Sequence, residues 1–476
     1  MAAAQSDVGD VAFANSGAPA AQQPFLRGLA LLHNFEYESA AASFREAQKI
    51  DPDFAMAYWG EAMTSTHPIW FQQDLNAARA VLQRAPKAKT DRERAYMLTM
   101  EVLYGEGTKE ERDFKYADAM RALHERYPDD VDATAFYALS LLGTSHHGRD
   151  TATYMRSAAL LEEVFPAHQH HPGVLHYLIH SYDDPVHAPL GMRAARLYGA
   201  VAPNAGHALH MTSHIFVAMG MWDDVIEANR RAIAVVNEQR AAKSGDPAAC
   251  GHYPTWMHYA LLQKRQFDEA RRMLDACRAS AFSATYKSTS PMDSDEWRIS
   301  AYAAMVSNQV ASGGALASAD TSVSAEKSAA AKFSLVYAEA LAAAQRGDAA
   351  ALKDAGSRLR GLQKEPAKLV EHRHSTNPNY EQRIAIVLQQ VDALQWIAAG
   401  KRGEAVAILR KAADAEDAMP FEFGPPFVEK PSRELLGDTL LAMSRTAEAA
   451  QAYRAALART PGRTLAAEGL ERAERR

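Results

Sequence analysis

A chain of 476 residues is too long for one ordinary core, so it forms several domains or a repeat array. Leu and Ala dominate and β-branched runs are scarce, which favours helix. The net charge of −6 is mild and no Lys/Arg-rich stripe occurs, so no nucleic-acid partner is expected; no stretch approaches the roughly 18–20 apolar residues of a membrane span, so no membrane insertion is expected.

The chain begins MAAAQSDVGDVAFANSGAPAAQQ, without an apolar signal-peptide core. Its small residues read as the start of a mature exported, periplasmic protein behind a new initiator Met, with a frayed cytoplasmic terminus as the alternative. From Phe25 to Pro52, FLRGLALLHNFEYESAAASFREAQKIDP carries an apolar stripe ending near Leu32 and a polar break. A second stripe runs through Ala40, Phe44 and Ala47. Asp51-Pro52 closes the unit, because the residue before a proline resists helix. The signature recurs at Gly220–Val235, Arg265–Cys277, Ala399–Ala413 and, most fully, Glu434–Pro461. Looser helical hairpins are expected over Ala55–Arg84, Asp91–Pro128, Val131–Pro166, Pro172–Pro203 and Phe333–Leu362. Ser280–Asp293 reads as loop, and Val310–Ser328 as a flexible linker after a helix at Ser294–Asn308. Cys250 and Cys277 make no metal-binding motif and are expected as buried free thiols, with a disulfide as the alternative.

Gly28 in a first helix, Tyr37 at the turn, then small, aromatic and small residues before Pro52 make a pattern that resembles the tetratricopeptide repeat. The resemblance implies an all-α, right-handed α-solenoid of about ten stacked helical hairpins, each burying its apolar face on its neighbours. Residues 1–20 are then a tail and 21–279 an N-terminal solenoid carrying a His-rich groove. Residues 280–328 form an irregular segment with one helix, and 329–476 a C-terminal solenoid. The chain is also similar to a group of bacterial, often exported repeat proteins, a likeness that supplies no reaction.

Nine of the 18 histidines lie between His168 and His214. With the turn at Gly220 and Trp222 fixing register, His207, His210 and His214 take the second, fifth and ninth places of a first helix, while Leu209, Thr212 and Phe216 pack within the repeat. In the preceding hairpin His176 and His180 take the fifth and ninth places. The family resemblance implies that these places face the concave groove. Spacings of three and four residues put the imidazoles on one helical face, where each can give a neutral nitrogen to one transition-metal ion. His252, second in the next inner helix, extends the set. The metal ligands expected are therefore His176, His180, His207, His210, His214 and His252, holding Cu or Zn foremost, or Fe or Ni. A solvated groove histidine is the bland reading of each taken alone. His67 is a weaker candidate that ends its helix; His258 reads as a buried structural residue. His168, His170 and His171 are expected exposed in a loop, and His372 and His374 between hairpins.

The Lys, Arg and Asn residues with which the family's peptide-binding groove holds a C-terminal carboxylate are replaced here by histidine, aromatic and Met residues. The expectation is a metal-dependent enzyme, hydrolytic or oxidative, acting on a small molecule or peptide in the groove. Asp183, Asp184 and Tyr182 are its candidate catalytic residues. Metal storage or delivery is a further reading, and the alternative from another class is a metal-free peptide- or protein-interaction scaffold. Glu434 and Asp438 also fall on inner-face positions, where a solvated face is expected.

Overall fold

The computed structural model describes residues 7–290, 293–321, 328–364 and 379–475; His372 and His374 lie outside these residues. The described chain is almost wholly α-helical and falls into two compact units. One comprises the residues up to Asp183 together with His187–Ile215; the other holds Asp184–Val186 and the residues from Phe216 onward.

In the first unit the helices pair in chain order: α1 (Gln22–His33) with α2 (Tyr37–Ile50), and α3 (Ala55–Met63) with α4 (Leu75–Leu82). Then come α5 (Asp91–Leu103) with α6 (Lys109–Arg126), α7 (Val131–Leu142) with α8 (Thr151–Val164), and α9 (Pro172–Tyr182) with α10 (Ala188–Val201). Helix α11 (Gly206–Ala218) follows. Local chemistry sets the ends. Thr90 with Glu93 and Thr108 with Glu111 form capping boxes, and Asp130 and Asp150 cap α7 and α8. The pairs stack because small residues meet large ones: Gly28 and Gly60 both lie against the buried Phe44 ring. Between α3 and α4 a short antiparallel pair, β1 (Thr66–His67) with β2 (Gln72–Gln73), carries Trp70 at its turn.

Part of the expected N-terminal tail is packed. Val8 and Phe13 are buried, the Val8 carbonyl accepts from Asn34, and Phe13 sits among Phe25, Trp59 and Tyr96 with Arg92 over its face.

In the second unit α12 (Trp222–Ala242) precedes α13 (His252–Gln263) and α14 (Phe267–Ala281). A helix at Asp295–Ala311 packs on Ala329–Arg346, which pairs with Ala349–Gln363. The pairs Tyr380–Ala398 with Arg402–Asp417, and Ser432–Ala442 with Thr446–Arg459, precede a last helix at Thr464–Glu474.

Two expectations fail in this unit. Cys250 and Cys277 are not free thiols; their Cα atoms lie 4.6 Å apart and the sulfurs are bonded. Their separation of 27 residues matches no motif, yet the α13–α14 hairpin brings the two together. Nor is Glu434 solvated. It is fully buried and accepts from Arg463 Nε at 2.5 Å and from Lys430 Nζ at 2.6 Å; Lys430 also reaches Asp438 at 2.8 Å. Burial raises the Glu434 pKa, but the Arg463 and Lys430 charges outweigh it and leave the group lowered.

Candidate metal centre

The site grows from the start of α9. The His171 ring caps this helix by accepting from the Val174 amide, and Pro172 occupies the first turn, where its missing N–H costs nothing. Gly173 follows because α1 passes close by: a Cβ there would lie 2.3 Å from Nδ1 of His33. That close approach lets the His33 carbonyl accept from Nδ1 of His176 at 2.6 Å. His33 is itself clasped. Its Nε2 donates to Asp132 Oδ1 at 2.9 Å, which also accepts from Nε2 of His171 at 3.2 Å, while Tyr177 Oη lies 3.0 Å from its Nδ1. His171, expected exposed, is buried for this reason.

One turn apart on α9, the rings of His176 and His180 have centroids 4.9 Å apart. From α11, His207 comes within 5.1 Å of His176, and His214 within 5.3 Å of His180. His210 completes the row, 6.0 Å from His207 and 5.1 Å from His214. None of the five is more than 6% exposed. The solvated-groove reading is therefore corrected: aromatic rings cover the imidazoles. Phe35 stands edge-on to His176 at 4.3 Å and stacks on His207 at 5.5 Å, Tyr198 lies 5.5 Å from His176, and half-buried Trp70 lies 5.8 Å from His207.

The hydrogen bonds select which nitrogen is basic. Asp183 Oδ2 accepts from Nδ1 of His214 at 2.9 Å and from Nδ1 of His180 at 3.3 Å, while Oδ1 accepts from Arg149 at 2.6 Å. A proton on Nδ1 makes Nε2 the basic nitrogen in His176, His180 and His214. Burial first, then the neighbouring His180 and His207, push the His176 pKa well below the ordinary histidine value. Burial takes His214 down to about 4 against the pull of Asp183. Neutral imidazole, the form that binds metal, is thus the resting state of His176 and His214. Burial pushes the Asp183 carboxyl up, but Arg149 and the two histidines override it and hold it well below the carboxylate range.

One nitrogen each of His176, His180 and His207 lie within 4.8 Å of one another, close enough to hold one ion. Bonds of about 2.0–2.1 Å place tetrahedral ligands about 3.3 Å apart, a gap that small ring rotations close. Nε2 of His176 is buried with no hydrogen-bond partner.

His252 opens α13 in the second unit, its ring 5.3 Å from Trp256. Tyr182 directs its hydroxyl to Glu162 at 3.4 Å, and the Asp184 carboxylate accepts from the Val186 amide at 2.9 Å. His67 stacks on Tyr37 at 3.9 Å. His258 is fully buried, its Nε2 3.2 Å from Gln309 Oε1, as a structural residue would be. Sequence reasoning missed Phe35, His33, Asp132 and Arg149; the one visible signal was a bulky residue in the α1–α2 turn, where three later hairpins place glycine. A cavity of about 860 Å³ in this unit is lined by residues including Arg92, Arg126, Tyr127 and His168, and by none of the five clustered histidines.

The tetratricopeptide repeat model matches residues 25–54, the α1–α2 hairpin. None of the curated proteins matches the sequence. Among solved structures, the Cut9–Hcn1 hetero-tetramer of the APC/C aligns over 97% of this chain and 78% of its own, at 10% identity and a TM-score of 0.38. Yeast Tom70 aligns over 96% of each chain at 10% identity and a TM-score of 0.31. The P58(IPK) tetratricopeptide domain aligns over 96% and 98% at 12% identity and 0.22. With a matched tetratricopeptide repeat at residues 25–54 and helical hairpins succeeding one another within each unit, the described chain is all-α and similar to tetratricopeptide-repeat proteins.

Proposed function

We propose that this repeat scaffold binds a transition-metal ion through Nε2 of His176, His180 and His207. The observation that carries the reading is Nε2 of His176, buried and without a hydrogen-bond partner while its Nδ1 is committed to a carbonyl. Leaving a buried acceptor unmade costs about 1–3 kcal/mol, and a metal–nitrogen bond removes that cost. Two further imidazoles converge on it, and carbonyl and carboxylate partners orient the rings as ligands need to be oriented. An all-nitrogen neutral set suits copper or zinc, with iron or nickel next.

Three protein ligands leave one position of a tetrahedral ion for water or a small molecule, which is the pattern of a catalytic rather than a structural site. Half-buried Trp70 lies beside His207. In this reading Asp183 orients His180 and His214 rather than carrying protons, because Arg149 keeps it ionised. Asp184 and Tyr182, bonded to Val186 and Glu162, remain the candidate acid–base groups only if substrate draws them away.

The matched repeat at residues 25–54 favours a second reading, a metal-free scaffold for a peptide or protein. Competition against a chromophoric chelator separates the two. The metal reading expects wild type to withdraw one equivalent of Zn or Cu and His176→Ala/His207→Ala to withdraw none at unchanged helicity. Failure of the wild type to compete for any of Zn, Cu, Ni or Fe leaves the interaction scaffold.

A further inference from the structure

The imidazoles of His176, His180 and His207 stand at three corners of a rough tetrahedron, and the Phe35 ring stands at the fourth. The centroids of His180 and His207 lie 4.9 Å and 5.1 Å from that of His176. Phe35 lies 4.3 Å from His176, 5.5 Å from His207 and 6.1 Å from His180, about the spacing the imidazoles keep among themselves. It stacks on His180 and His207 at interplanar angles of 26° and 28° and stands edge-on to His176. A tetrahedral ion on three imidazole nitrogens has one corner left for a fourth ligand.

The turn itself does not ask for this ring. Arg265 and Ser444 meet the same left-handed backbone conformation in later hairpins, at φ of 60° and 59°. At this turn the side chain is instead a phenyl ring, 7% exposed, with Tyr37 stacked on it at 5.3 Å and Trp70 edge-on at 5.6 Å. Aromatic carbon offers an ion no ligand atom of its own. Packed interiors leave few voids larger than a water molecule, so a wider ligand has to displace the ring.

Resting on the metal reading above, we propose that Phe35 fills the fourth side of the ion held by His176, His180 and His207 and sets the size of what binds there. Water or a linear molecule of about two or three heavy atoms enters beside the ring, and a ring-shaped ligand does not. The substrate class of the site is then a small ligand of the ion rather than a peptide side chain.

The test is titration of the full chain, loaded with copper(II), with azide and with pyridine. Binding is read from the visible absorption of the copper and, for azide, from the azide-to-copper charge-transfer band. The proposal expects azide to bind the wild type and pyridine to leave its spectrum unchanged. In Phe35→Ala at saturating copper, pyridine should bind at least about tenfold more tightly than in the wild type, while the azide Kd moves less than about threefold. General loosening of the unit would move both ligands together, so the ratio of the two constants is the measure. Phe35→Leu, which keeps a narrower apolar side chain, carries the same comparison if the alanine variant does not hold copper. Pyridine bound by the wild type as tightly as by the variant overturns the proposal, and so does an equal gain for both ligands. Bound copper that takes up neither ligand in either protein overturns it as well. A wild type that takes up no metal overturns the metal reading, and this inference falls with it.

Discussion

Phe35 sits in the α1–α2 turn with φ of 58°, where Gly220, Gly347 and Gly400 take the same left-handed conformation in later hairpins at 68°, 70° and 75°. A non-glycine residue there costs about 1–2 kcal/mol. Arg265 and Ser444 take the conformation too, at 60° and 59°; in Phe35 the ring lies over His176 and His207. Phe35→Ala keeps the strain and loses the ring, so it should destabilise the protein by about 3 kcal/mol in urea unfolding. The variant should also bind metal more weakly in chelator competition; unchanged affinity would show that the ring has no part in the site. His258, in the second unit, offers a pH test. Burial lowers its pKa to about 4, so the folded protein stays neutral there while the unfolded chain protonates below about 6.5. Stability is therefore full above pH 6.5 and falls by up to about 3 kcal/mol as pH drops toward 4. Urea midpoints at pH 7 and pH 4.5 should converge more closely in His258→Gln than in wild type. An equal acid loss in both would put the effect on other groups.

At the scale of elements, the helical period was legible and the links between hairpins were not. The register of His176, His180, His207, His210 and His214 follows from three- and four-residue spacing on a helix whose start Pro172 or whose turn Gly220 fixes. The hydrogen bond from His33 to Asp132 spans 99 residues, and that from Arg463 to Glu434 joins helices whose facing no local pattern encodes. Buried polar residues at such crossings read in sequence as solvated ones, which is why His171 and Glu434 were misplaced. Two consequences can be measured at this scale. Gly173→Ala forces a Cβ to within 2.3 Å of Nδ1 of His33, buried on both sides, and should cost about 1–3 kcal/mol while weakening metal binding through the His33–His176 bond. Loss of stability with full metal affinity would break that chain of causes. Replacing both Cys250 and Cys277 by Ala opens a loop of 27 residues' separation and should cost about 3 kcal/mol, read as a lower urea midpoint. An unchanged midpoint would mean that the α13–α14 packing alone holds the hairpin.

The whole chain joins a common repeat architecture to an uncommon lining. Repetition made the fold readable, since FLRGLALLHNFEYESAAASFREAQKIDP and its later copies each encode one hairpin that needs its neighbours. It made function hard to read, because the same architecture serves any ligand that its side chains can hold. This molecule carries five buried imidazoles on α9 and α11; a carbonyl orients His176, and Asp183, itself held by Arg149, orients His180 and His214. The most direct measurement is the metal content of the tag-free wild-type protein as purified and after incubation with Cu and Zn. At least one tightly held ion per chain, absent from His176→Ala/His207→Ala at equal helicity, is the predicted result; wild-type protein that holds none under any of these conditions would contradict it.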